Sequence, residues 1–331
     1  MEWIPYDSLP NKQRMDFGCV KINDHQIILV AGKRNLSGLK RCDLFDLETR
    51  RWSRGPSLPI EMSFCRATLV GEYVYVCGLY KEFYRLNVEN LSIGWQRLPA
   101  MKVDGLGCEL VSDSRYVYRI GDNYKRTTFH RYDTKYNTWE TLRSLSEGRD
   151  MLGVTIVDGE IYAIGGRSGL SGDTILNSVE IYDPSTNTWR SGPELPRSLF
   201  GHSVHAIGTF IFVSGGQRSY SSKPLASMLV LDTFSQEWSP LDIHLPFGTT
   251  GHSMISSGWN LFLIGGKSNS NNYMIHEDMI MIKIDPDLHR PKQSSMDLSY
   301  HKKSHMRMGR RASISNMFSK AFSTVQIIVK D

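Results

Sequence analysis

The sequence predicts an all-β, six-bladed propeller whose last blade is closed by the N-terminal strand, followed by a basic C-terminal tail. Three observations carry this. Glycines that end β-rich runs recur at Gly32, Gly78, Gly121, Gly166, Gly216 and Gly266, 43 to 50 residues apart. Tryptophans at 52, 95, 139, 189 and 238 keep the same period independently. Such a period, with this strand-and-turn chemistry, is that of propeller blades. Finally, an isolated half-motif, WIPYDSLP, stands at the N-terminus.

The clearest blade is the fourth. VTIVDGEIYAIGG reads as a strand, an Asp-Gly turn and a second strand. VEIYDPSTNTW supplies a third strand, a turn at Asp183-Pro184 and a fourth strand entered at Trp189. HSVHAIGTFIFVSGG with LVLDTFSQEW, and GHSMISSGWNLFLIGG with IMIKID, repeat the scheme in blades 5 and 6. Blades 1 to 3 carry Ala31-Gly32, Cys77-Gly78 and Ile120-Gly121 in place of the glycine pair. They keep the Asp or Asn at the end of the third strand (Asp46, Asn87, Asp133), which can accept hydrogen bonds from its own turn. The Trp that follows is an apolar plate for the wedge between blades.

Blade 6 has no Trp after Asp285. Trp3 precedes Pro10 by the spacing that separates Trp52 from Pro59 and Trp189 from Pro196. Residues 1–10 are therefore expected to form the outer strand of blade 6, which ties the ring shut and removes a sheet edge. The expected domains are a propeller over 1–286 and a tail over 287–331.

Charge separates the two. Residues 287–331 hold nine Lys/Arg and three Asp/Glu, while the preceding 286 hold 30 and 31. The overall charge of +5 thus belongs to the tail. A folded nucleic-acid-binding surface would concentrate basic residues within the domain, so no nucleic acid is expected. No run reaches 18 apolar residues and no signal peptide is visible, so neither a membrane span nor secretion is expected. The five cysteines, Cys19, Cys42, Cys65, Cys77 and Cys108, include no CxxC. They are expected to be reduced thiols, and the expected compartment is the cytoplasm or nucleus.

The glycine, Tyr-Asp and Trp grammar over roughly residues 1–286 resembles the kelch repeat. The resemblance implies a binding module, often the substrate-recruiting part of a ubiquitin-ligase adaptor. It also implies an alternative, since a few kelch propellers are enzymes, among them copper radical oxidases and a sialic-acid isomerase. No BTB, BACK or F-box region is apparent in this sequence, so any ligase-contacting part is expected to lie outside it.

Loops joining the second and third strands share a face with those leading into the first, at the mouth of the central channel. Every second-to-third loop contains a basic residue, among them Arg34, Lys81, Arg126, Arg167, Arg218 and Lys267. The approaches to the first strand add Arg14, Arg66, Arg149 and Arg197. A net-basic mouth suits an acidic or phosphorylated peptide, since Arg forks onto carboxylate or phosphate and Lys supplies a point charge. Kelch adaptors use arginines, serines and tyrosines here, and the resemblance implies that Tyr80, Tyr124, Ser168, Ser219 and Tyr220 are counterparts.

No catalytic residue, metal ligand set or cofactor is assigned. His202 and His252 occupy matching GHS positions and could pair on a metal, but a repeated motif also repeats histidines. His205, three residues on, should face the opposite side of the strand. The cysteines lie in blades 1 to 3, away from these histidines, which speaks against a copper radical site. A sugar-acid isomerase would need a carboxylate buried at the channel. GKSNSNN at Gly266 lacks the spacing of a phosphate-binding loop. In the tail, Ile314, Met317, Phe318, Ala321 and Phe322 fall at helical spacing, which would suit docking on a partner or an anionic surface. RRAS ending at Ser313 matches a basophilic-kinase pattern, making Ser313 a candidate phosphosite.

Overall fold

The computed structural model describes residues 2–10, 14–34, 37–122, 127–168, 174–268 and 275–285. Six four-stranded antiparallel sheets form six blades. The innermost strands are Gly18–Lys21, Arg66–Val70, Glu109–Ser112, Gly153–Val157, Phe200–Ile207 and Ser253–Ser257. Each packs beside the next, and the sixth packs beside the first, so the ring is closed. Among the described residues no helix is long and apolar enough to cross a membrane.

The burial pattern explains the sequence pattern. Second strands lie between two strands of their own sheet and between two blades, so QIILV and EIYAI are buried along almost their whole length. Outer strands such as TWET and TWRS face solvent except at their Trp. That Trp does two jobs. Its ring meets buried aromatics, as Trp189 does with Phe129 of the preceding blade and Tyr182 of its own, at centroid distances of 5.0 Å each. Its indole N–H donates to a carbonyl just past the preceding blade's outer strand: Trp95 to Pro56 at 2.9 Å, Trp139 to Pro99 at 3.0 Å, Trp189 to Arg143 at 2.7 Å and Trp238 to Pro193 at 2.9 Å. The Asp or Asn ending the third strand accepts backbone N–H groups of its own turn, as Asp46 does from Glu48 and Thr49 and Asn87 from Glu89 and Asn90.

The glycine pair has two different reasons. A Cβ on Gly165 would stand 2.7 Å from the Leu199 carbonyl oxygen of the next blade. A Cβ on Gly166 would stand 2.7 Å from the Asp150 carbonyl oxygen of its own blade. The first glycine admits the neighbour and the second admits the blade's own inner strand. This corrects the sequence alignment in blade 3. Its second strand ends at Ile120, as blade 4's ends at Ile164, and a Cβ on Gly121 would meet the Arg149 carbonyl oxygen of the next blade, so Gly121 takes the first glycine's place.

Ile4–Ser8 pairs antiparallel with Asp278–Lys283 and supplies the outer strand of blade 6. Trp3 lies just before this strand, and its register shifts between Pro5 and Asp7. At this seam the Trp52 indole N–H has no partner among the described residues. The bulged Tyr6 bridges instead: its hydroxyl donates to the Leu47 carbonyl at 2.6 Å, and its ring meets Phe45 of blade 1 and Phe262 of blade 6.

Candidate functional site

The mouth is built where second strands run out into loops beside the approaches to the inner strands. Short bridges hold the two together: Met15 with Lys33, Asp150 with Arg167, and Thr250 with Lys267. The residue just past the second glycine is therefore held against the approach. Arg167 lies there and grips Asp150 with two hydrogen bonds of 2.8 Å, Nε to Oδ1 and Nη2 to Oδ2. Its other arm donates to the Tyr220 hydroxyl of blade 5. Its guanidinium lies 5.3 Å from the Tyr220 ring and 5.7 Å from that of Phe200, which packs on Tyr220. Burial opposes its charge, but Asp150 and Tyr220 outweigh that and raise its pKa. Lys33 repeats the arrangement in blade 1, with Asp16 at 2.9 Å and the Phe64 ring at 4.0 Å.

The blade 5 loop is braced from within. Ser222 Oγ accepts the backbone N–H groups of Arg218 and Ser219, and the Gln217 side chain donates to the Ser222 carbonyl. Arg218, Ser219 and Tyr220 project from this turn, all exposed. Arg34 and Lys81 are exposed as well, and Tyr80 is 63% exposed. None of Arg34, Lys81 and Arg218 makes an ion pair among the described residues. Arg197, Ser168 and Lys267 are half-buried. Arg126, Tyr124 and Ser313 lie outside the described residues, as does the whole tail.

Arg149 is a correction. It is fully buried, and its guanidinium donates to the Gly165 and Ser178 carbonyls and to Glu180 at 2.9 Å. Arg14 holds the same register in blade 1, bonding Ala31, Leu29, Arg41 and Asp43. Both are struts that tie a blade's carbonyls and third-strand carboxylate to its approach, and burial keeps both out of a ligand's reach. Sequence reasoning treated them like the exposed arginines because burial has no local signature. A signal was present: Asp43 and Glu180 occupy matching places on the third strands of the same two blades.

Below the mouth the inner strands enclose a cavity of about 350 Å³. Arg66 Nε donates to Glu109 Oε1 at 2.5 Å across blades 2 and 3. Burial pushes the Glu109 carboxyl above its usual range, against the pull of Arg66. Thr68 and Ser112 share a hydroxyl contact of 2.6 Å, and His205 meets Ser256 at 2.9 Å. His202 faces the other way, toward Gly153 and Gly165 of blade 4. His252 Nε2 lies 2.7 Å from Ser214 Oγ. Among the described residues no three His, Cys, Asp or Glu side chains gather in a way that would hold a metal ion.

Charge is unequal between the ends of the ring. Across the connections at the mouth and the strand residues that flank them, the described residues hold seventeen basic and eleven acidic side chains; without the struts Arg14 and Arg149 the balance is fifteen to eleven. Six blades of this grammar, closed in this way, make the propeller similar to those of the kelch-repeat family. The KLHDC2/KLHL20/DRC7 Kelch-repeats domain matches residues 119–266 of the propeller. Kelch-like protein 33 of Homo sapiens is 30% identical over 131 residues, 37% of this chain and 24% of that protein. Kelch-like protein 36 of Mus musculus is 24% identical over 218 residues, 61% of this chain and 35% of that protein. An F-box/kelch-repeat protein of Arabidopsis thaliana is 36% identical over 83 residues, 24% of each chain. The propeller thus matches about a quarter to a third of the length of these curated relatives.

Proposed function

We propose that this propeller is a protein-interaction module whose mouth takes an acidic or phosphorylated peptide segment, as the substrate-recognition part of a larger assembly. The observation that carries the reading is the excess of basic over acidic side chains at the mouth, with Arg34, Lys81 and Arg218 exposed and unpaired beside the exposed rings of Tyr80 and Tyr220. Arg and Tyr are the residue types that anchor protein interfaces, and a rim of unpaired cations steers an anionic partner. The F-box in one relative's name is in keeping with a recruiting role.

The test is fluorescence anisotropy with acidic and phosphoserine peptides at several salt concentrations. Affinity should fall with salt and drop about tenfold in Arg218→Ala, with a further drop in Arg218→Ala/Lys81→Ala, as expected for losing exposed charge-assisted contacts of ~1–2 kcal/mol each. Melting temperature should stay unchanged. Binding that ignores both salt and the double substitution would overturn the assignment.

A further inference from the structure

The thiols of Cys77 and Cys108 lie 3.7 Å apart, Sγ to Sγ, at the joint between blades 2 and 3. Cys77 ends the second strand of blade 2, and Cys108 immediately precedes the inner strand of blade 3. Both are buried. The backbones beside them are pressed together: the Gly105 N–H donates to the Leu79 carbonyl at 3.2 Å, and that of Met101 to the Lys81 carbonyl at 2.9 Å. We propose that Cys77 and Cys108 are an oxidation site, forming a reversible disulfide that staples blade 2 to blade 3 when the protein meets a peroxide.

The two sulfurs are not equivalent. Either thiol can donate in this contact; with Cys77 as the donor, and with Arg119 and Arg66 nearby, the pKa of Cys108 is lowered and that of Cys77 raised. Cys108 is therefore the attacking thiolate. Glu109, the residue next to Cys108, lines the central cavity, and a small oxidant has to enter from there. The Cys108 thiolate attacks a peroxide oxygen, the O–O bond breaks, and the departing hydroxide takes up a proton as water. The Cys77 sulfur then attacks the Cys108 sulfenic acid; the S–O bond breaks, and the leaving hydroxide takes the Cys77 proton as a second water. One hydrogen peroxide and two thiols give one disulfide and two waters.

The other three cysteines serve as internal controls. Burial pushes Cys19 up to about 12, Cys42 to about 11 and Cys65 to about 12. Cys42 and Cys65 sit in the core between blades 1 and 2, whereas Cys77 and Cys108 share the next core.

The experiment treats the reduced, folded full chain with hydrogen peroxide, quenches it, and maps it by non-reducing peptide mass spectrometry. The expected product is a Cys77–Cys108 crosslinked peptide, two hydrogens lighter than its parts and restored by dithiothreitol. Cys77→Ala should abolish the crosslink and leave a dimedone-reactive sulfenic acid on Cys108. Cys108→Ala should leave Cys77 unmodified at the same peroxide dose. Circular dichroism confirms that each variant is folded, and titrated urea on the wild type separates native from unfolded reactivity. Crosslinking only above the unfolding midpoint, or pairing through Cys42 or Cys65 instead, would overturn the proposal.

Discussion

Three arginines near the mouth, alike in sequence, differ in what they hold. Arg149 is sealed inside blade 4 with Glu180, which is 5% exposed. Arg149→Ala leaves that carboxylate without its cation and should cost about 3–5 kcal/mol, the range for breaking a buried pair from one side. Arg167 is 15% exposed and pairs with a buried Asp150, so Arg167→Ala should cost less, about 1–3 kcal/mol. Arg218 holds nothing, and Arg218→Ala should move stability by no more than ~0.5 kcal/mol. Urea midpoints of the three variants test the order. Peptide affinity should follow the reverse order, with Arg218 mattering most per unit of stability lost. An equal stability cost at all three would mean that the distinction between strut and rim is wrong. Burial is the information that the sequence withheld here. The positions of the arginines followed from the repeat, but which of them face the blade interior depended on carboxylates in the third strand.

At the scale of elements, closure rests on a strand that differs from its counterparts. Trp3 falls at the motif position of Trp52 and Trp189, which made the N-terminal strand legible. What the motif did not encode is the register shift at Tyr6, because one extra residue in one strand leaves the Trp-to-Pro spacing intact. The shift matters: Tyr6 replaces the indole bridge with a hydroxyl bridge to Leu47 and lies under Arg50, whose guanidinium is 4.4 Å from its ring. The sequence also aligned Gly121 one place off, since a lone glycine does not reveal which half of a pair it represents. Deleting residues 1–10 exposes Asp278–Lys283 as an edge and removes Tyr6 from the seam. The expected outcome is a loss of several kcal/mol, with amide hydrogen exchange rising first in 278–283 and in the adjoining Asn260–Ile264 strand. Tyr6→Phe keeps the ring and removes only the hydroxyl bridge, so it should cost about 1 kcal/mol. Exchange that rises evenly in all six blades after the deletion would contradict closure by this strand.

The propeller as a whole is electrically polarised. At the end opposite the mouth, the turns and their flanking strand residues hold thirteen acidic and six basic side chains among the described residues. Many of these acids are the Asx-turn residues that every blade needs, so the blade grammar itself makes one end negative and leaves the mouth as the place for cations. That arrangement orients an approaching anion over distances comparable to the Debye length. Acid sensitivity is set elsewhere, in the interior. Burial lowers the pKa of His130, His202 and His205 to about 4 and of His252 to about 3, and it lowers His276 as well. Arg119 and Lys102 lower His130 further against Asp122, and His202 and His276 lower His252. Each imidazole is neutral in the folded ring and would bind a proton near pH 6.5 once unfolded. The unfolded chain therefore takes up more protons between pH 6.5 and about 4, and stability must fall as pH drops through that window. By pH 5 the loss is on the order of 2 kcal/mol per histidine. Glu109, whose carboxyl is raised by burial, works in the opposite direction, one group against five histidines. Urea midpoints at pH 7.5, 6 and 5 should decline steeply, and His252→Gln, which can still bond Ser214, should flatten the decline by about a quarter or less. A midpoint that holds steady from pH 7.5 to 5 would show that these histidines are already protonated in the folded ring.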